Sequence, residues 1–231
     1  MRFLFALAVG IALCAPATAA DPAPVPPAKP KPANALNVEE TLALLYQQEV
    51  QWDDGNINEI PLFELLMKLS KRYNLNFVIN EEAFKAESVA DIKEKKPNVA
   101  ATQLKGVNVH QLLKVTLESM NATYLVKSGR LEIVPIGFAA KLTKTPLIEV
   151  SEDHKIFAEP LVSLVVKEKP FNEAVALIAE RYDLTVIVSP QSGDARMGFV
   201  TARMLNVPAD KALELLAVQC DLRVIRKGNA Y

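Results

Sequence analysis

Residues 61–79 read PLFELLMKLSKRYNLNFVI, and residues 170–188 read PFNEAVALIAERYDLTVIV. The two stretches align for nineteen residues at a constant offset of 109, and five positions are identical: Pro61/Pro170, Glu64/Glu173, Arg72/Arg181, Tyr73/Tyr182 and Leu75/Leu184. Leu62, Leu65, Leu66 and Leu69 match Phe171, Ala174, Val175 and Ile178. That spacing, i, i+3, i+4, i+7, gathers apolar side chains on one face only in a helix. Each proline suits the first helical position, where its missing N–H would be unpaired anyway. Asn76–Ile79 and Thr185–Val188 then turn β-branched and aromatic, which predicts a short strand after each helix.

A second echo follows at an offset of 100: Leu112, Leu113, Thr116, Leu117 and Met120 match Ala212, Leu213, Leu216, Ala217 and Cys220. These predict another pair of one-sided helices, each leading to a strand, Ala122–Lys127 or Leu222–Lys227. Ser128-Gly129 and Gly228-Asn229 are turn signals of the two-residue hairpin kind. The drop from 109 to 100 makes the first copy nine residues longer, and ESVADIKEKKPN (87–98) reads as the solvated loop that holds them. Opening strands are expected at Glu49–Trp52 and Leu161–Val166. The expected fold class is α+β: two tandem small βαββαββ domains, 49–136 and 160–231, each with two helices packed between short sheets. Residues 137–159 read as a linker with some extended structure. In the first copy RLEIVPI (130–136) returns as a full strand, whereas the second reaches only Ala230-Tyr231, so its final strand is expected to be cut short or to continue in a longer chain.

Ahead of the repeats, MRFLFALAVGIALCAPATAA (1–20) has one charge, a short apolar run and small residues at its end, the form of a secretory signal. Leu13 before Cys14 disfavours the lipoprotein reading. Residues 21–36 form a proline-rich spacer, and Asn37 is placed to cap a helix over 37–48, with Glu39 and Glu40 in its first turn. Lys and Arg number 26 against 27 Asp and Glu, without a basic cluster, which argues against a nucleic-acid surface. No segment after the leader is apolar enough to span a bilayer, so an exported, periplasmic location is expected, with peripheral association with the outer membrane open. With Cys14 removed, Cys220 stands alone and reads as a buried structural thiol.

The repeated unit resembles the short N-terminal domain shared by secretins and TonB-dependent receptors. PLFELLMKLSKRYNLNFVI with VNVHQLLKVTLESMNATYLVKSGRLEIVPI carries the resemblance in the first copy, and PFNEAVALIAERYDLTVIV with NVPADKALELLAVQCDLRVIRKGNAY carries it in the second. The resemblance implies two helices between a two-stranded and a three-stranded sheet, and a periplasmic role in docking protein partners. Those partners would be envelope proteins or other copies of the chain. Two alternatives go with it: a signal relay contacting a membrane-bound sigma regulator, or the N-terminal part of a larger secretin-like channel. No series of alternating strands long enough for an outer-membrane barrel appears in this sequence.

Chemistry-bearing residues are sparse. His110 opens the second helix of the first copy, where its counterpart is Asp210, so a polar first-turn role accounts for both. Ser151, Asp153 and His154 contain triad ingredients without a nucleophile elbow and read as solvated linker. Asp53-Asp54-Gly55-Asn56 reads as a turn, since the twelfth position of a calcium loop would fall at Glu64, on a helix. Two separated histidines and one thiol do not make a closed zinc site, no glycine-rich phosphate loop exists, and the expectation is no enzyme, no cofactor and no metal. Asn121-Ala122-Thr123 is a glycosylation sequon of little weight in a bacterial-looking envelope protein. The repeated pairs Arg72/Tyr73 and Arg181/Tyr182 remain as candidate partner anchors, because Arg and Tyr are enriched at binding hot spots. Their structural reading is a helix end, with Arg complementing the dipole and Tyr packing at the sheet edge.

Overall fold

The computed structural model describes residues 36–50, 52, 56–100, 106–151, 154–189, 193 and 197–231. The expected signal, most of the spacer and the Asp53–Gly55 turn lie outside them. The described residues fall within one compact unit of mixed α+β structure. Helix α1, Val38–Gln47, starts from a capping box in which Asn37 accepts from the Glu40 N–H and Glu40 accepts from the Asn37 N–H.

In the first repeat, α2 (Leu62–Tyr73) leads to β1 (Phe77–Ile79) and a short helix α3 (Glu81–Ala86). Helix α4 (Val109–Glu118) leads to the hairpin of β2 (Ala122–Lys127) and β3 (Arg130–Pro135). The sheet order is β1-β3-β2, with β3 central, parallel to β1 and antiparallel to β2. Where a strand over Glu49–Trp52 was expected, the described residues show an isolated Glu49–Asn108 bridge, and the Val50 N–H donates to the Val107 carbonyl at 2.8 Å. Loop 87–98 is not merely solvated: Ile92 is buried, and the Lys95 and Lys93 carbonyls accept from the Leu62 and Phe63 N–H groups. They supply the helix cap that Pro61 cannot, since Pro61 lies one residue before the first helical turn, in the N-cap position.

The expected linker is largely ordered. Helix α5 (Ile136–Thr143) and an antiparallel hairpin of β4 (Leu147–Ser151) and β5 (His154–Phe157) occupy it. The missed helix has a local cause: Ile136, Ala139 and Ala140 form a short buried stripe, and Pro135 ends β3 and opens the helix. With Leu125 and Val134, Ala139 makes a small core on the outer face of the first sheet.

The second repeat begins with β6 (Leu161–Pro170), which is longer than expected, and continues through α6 (Phe171–Tyr182), β7 (Phe199–Pro208) and α7 (Ala209–Val218). Strands β6 and β7 pair antiparallel with bulges. Every apolar position of the four predicted stripes is buried, and each repeat has its own core. The copies also share backbone exceptions: Asn74 and Asp183 end α2 and α6 at φ of 53°, Asn121 and Asp221 follow α4 and α7 at 53° and 55°, and Gly106 and Asn206 take 66° and 56°. Asn, Asp and Gly are the residues that tolerate this left-handed region.

Two predicted strands differ from expectation. Among the described residues, 185–188 and 222–227 form no strand; they make single bridges at Thr185 and Lys227, and the Ile187 N–H donates to the Tyr231 carbonyl at 2.8 Å. Both contact Ala230, which with Tyr231 enters the position that β3 holds in the first repeat.

Candidate interaction sites

The predicted anchors Arg72/Tyr73 and Arg181/Tyr182 end matching helices but meet different surroundings. Arg72 is exposed and the Tyr73 ring is buried in the first core. At the other pair, the Tyr182 hydroxyl donates to the Ser163 carbonyl at 2.9 Å and accepts from the Ser163 N–H at 2.7 Å. It also meets the Tyr46 hydroxyl at 2.8 Å, and the Arg181 guanidinium lies 4.9 Å from the Tyr46 ring centroid. Cation–π geometry and a bonded hydroxyl therefore tie the second pair to α1, which precedes both repeats.

Around that contact the two repeats meet. His110 stacks on Tyr46 at 4.7 Å between ring centroids, and its Nδ1 is hydrogen-bonded to the Tyr124 hydroxyl. Burial, helped by the nearby Lys114 ammonium, lowers the His110 pKa to about 4, so the ring is neutral. Burial likewise pushes the Tyr46, Tyr124 and Tyr182 hydroxyls up. These rings line a cleft of about 530 Å³ that Lys114, Glu118 and Asn206 also border. Asn206 closes the junction: its side-chain amide accepts from the Val126 N–H at 2.8 Å and donates to the Val126 carbonyl at 2.9 Å. It thereby pairs the free edge of β2 as a further strand would.

Chemically this cluster is a neutral hydrogen-bonded junction. Sequence reading noticed His110 only as a first-turn polar residue and gave Tyr46 no role; the offset aromatic beside the Leu42–Leu45 stripe of α1 was the available signal. Ser151 and His154 face each other across the β4–β5 hairpin, while Asp153 lies outside the described residues. Glu64 pairs with Lys68 at 3.3 Å on the helix surface. The Asn121 side chain of the sequon accepts from the Lys155 N–H at 3.0 Å. Cys220 is buried, and burial pushes its thiol up. Among the described residues, no group of three or more His, Cys, Asp or Glu could hold a metal, and no helix is long and apolar enough to cross a membrane.

The second site is a groove in the second repeat. Residues 185–188 and 222–227 flank a groove of about 210 Å³ floored by Phe171, Val175, Leu213 and Ala217. Val186, Val188, Leu222 and Val224 pack inward on the second core, while Ile187 and Ile225 are 73% and 68% exposed. The Tyr231 N–H donates to the Thr185 carbonyl at 2.9 Å, matching the Leu131-to-Asn76 bond of the first repeat at 2.7 Å. Thr185 and Tyr231 lie 109 and 100 positions after Asn76 and Leu131, so the register is shared.

Comparison with protein-family models, with curated proteins and with solved structures finds no match to this chain.

Proposed function

We propose that this chain is an exported, non-enzymatic docking protein of the bacterial envelope. In this reading it consists of two tandem βαββαββ domains, 49–136 and 160–231, similar to the short N-terminal domains of secretins and TonB-dependent receptors. The matched helix ends and the shared strand register support the duplication. The observation that carries docking is the groove of the second repeat, where exposed Ile187 and Ile225 lie beside an apolar floor. Exposed apolar side chains beside an apolar groove are characteristic of surfaces that associate with other proteins. Its partners are other envelope proteins in the periplasm.

Photo-crosslinking in living cells tests the reading. A crosslinking residue is placed in turn at the exposed positions Phe63, Met67, Ile187, Leu215 and Ile225. Discrete adducts with other envelope proteins are expected from at least one position. A chain that yields none anywhere is not a docking protein.

A further inference from the structure

We propose that the cleft between α1 and the two repeats binds a small organic monocarboxylate, its carboxylate held by Arg181 and its apolar body laid along Ile156, Phe157, Leu161 and Leu184. At about 530 Å³ the cleft has small-molecule dimensions, and it joins that apolar lining to a few convergent polar groups. Its back wall is tied together, because ring contacts and hydroxyl hydrogen bonds link Tyr46, His110, Tyr124 and Tyr182. The site is therefore shaped before a ligand enters, which lowers the ordering cost of binding. The repeat itself does not demand these residues. At the offset of 100, His110, Lys114, Glu118 and Tyr124 correspond to Asp210, Glu214, Val218 and Val224, and the second copy still forms its own core.

Arg181 is the anchor. Its guanidinium carbon lies 4.9 Å from the Tyr46 ring centroid, so the ring covers one face of the guanidinium and leaves the in-plane N–H groups. Among the described residues, none of these N–H groups reaches a hydrogen-bond acceptor or a carboxylate. A partly buried cation with unused donors is a standing electrostatic cost. A carboxylate takes two in-plane N–H groups at once and removes it. Lys114, one turn beyond His110 on α4, is exposed at the rim and, among the described residues, has no ion pair. It adds a second positive charge. Glu118 and Asp183 also border the cleft. Burial pushes the Glu118 carboxyl up and Asp183 is exposed, so one negative charge on the ligand is balanced and a second is not. Ile156, Phe157, Leu161 and Leu184 are each partly buried, and a hydrocarbon body laid on them leaves water.

The test titrates the full 231-residue chain with octanoate by calorimetry. Saturable binding is expected. Acetate lacks the body, 1-octanol lacks the charge and octanedioate carries charge at both ends, so each should bind about tenfold more weakly or worse. Arg181→Gln should weaken octanoate by about tenfold. Because that change also removes the contact with Tyr46, two variants outside that contact carry the test beside it. Lys114→Gln, at an exposed position, should weaken binding several-fold, and Ile156→Glu, which sets a like charge against the ligand body, should abolish it. Replacing Lys141 and Lys144 together by Gln, at a different groove, should leave binding unchanged. Absence of saturable octanoate binding, octanol binding as tightly as octanoate, or unchanged binding in both Lys114→Gln and Ile156→Glu overturns the proposal. So does an equal loss in the Lys141 and Lys144 double variant, which would mark general attraction to surface lysines.

Discussion

The hydroxyls of Tyr46 and Tyr182 meet at 2.8 Å although the residues are 136 positions apart. One belongs to a helix outside both repeats and the other to the second repeat, and between them they hold the junction on which His110 and Tyr124 of the first repeat also pack. An equivalent tyrosine, Tyr73, ends the matching helix of the first copy, and among the described residues it has no such partner. The duplicated residue is therefore structural in one place and a joint in the other.

Removing the hydroxyl separates those roles. Tyr182→Phe leaves the buried Ser163 N–H and carbonyl without their partner and should lower unfolding free energy by about 2 kcal/mol. Tyr73→Phe keeps the buried ring and should change it by less than about 0.5 kcal/mol. Urea unfolding of the two variants checks the contrast, and equal losses would refute it.

Asn206 combines a left-handed backbone with an amide that pairs both main-chain groups of Val126. Asn206→Gly keeps the backbone and loses the pairing, for a loss of about 1–3 kcal/mol. Asn206→Ala should lose about 1 kcal/mol more, through strain at positive φ. Among the described residues a Cβ at Gly106 in the first copy would meet only the Glu49 carboxylate, at 3.8 Å, so the loss in Gly106→Ala should be that strain alone. Thermal melts of the three variants rank them.

Acid should loosen the junction. The folded His110 pKa of about 4 lies below its ordinary value near 6.5 because burial disfavours the charged ring. Stability from keeping it neutral is fully present above pH 6.5 and is lost as pH falls toward 4, by at most about 3 kcal/mol. The groups facing it are Tyr46, Tyr124, Tyr182 and the Lys114 ammonium, with Glu118 and His154 close by. His110→Asn should flatten the stability profile over this window; urea midpoints of both proteins at pH 7 and 4.5 decide it, and parallel profiles would exclude the assignment.

Thr116 is fully buried on α4, and among the described residues its hydroxyl has no hydrogen-bond partner. Thr116→Val removes an unsatisfied polar atom at nearly constant volume and should raise stability by about 1 kcal/mol. A lowered denaturation midpoint would show that the hydroxyl is satisfied in solution.

What could be read from the residues alone was local. The four helices of the repeats declare themselves through one-sided apolar spacing, and Asn37 with Glu40 announces the start of α1, because these signals lie within a turn or two of the backbone they direct. Asn74, Asp183, Asn121 and Asp221 mark the left-handed exits in the same way. Strand pairing is different, since a strand exists only with a neighbour: Ala122–Lys127 pairs because Arg130–Pro135 returns beside it. The junction likewise depends on Tyr46, His110, Tyr124 and Tyr182 converging from four separate elements. The sequence by itself determined the repeated helical module and its caps. Only the tertiary structure decided which strands pair and which of two matching tyrosines joins the repeats, because those outcomes depend on groups brought together from distant positions in the chain.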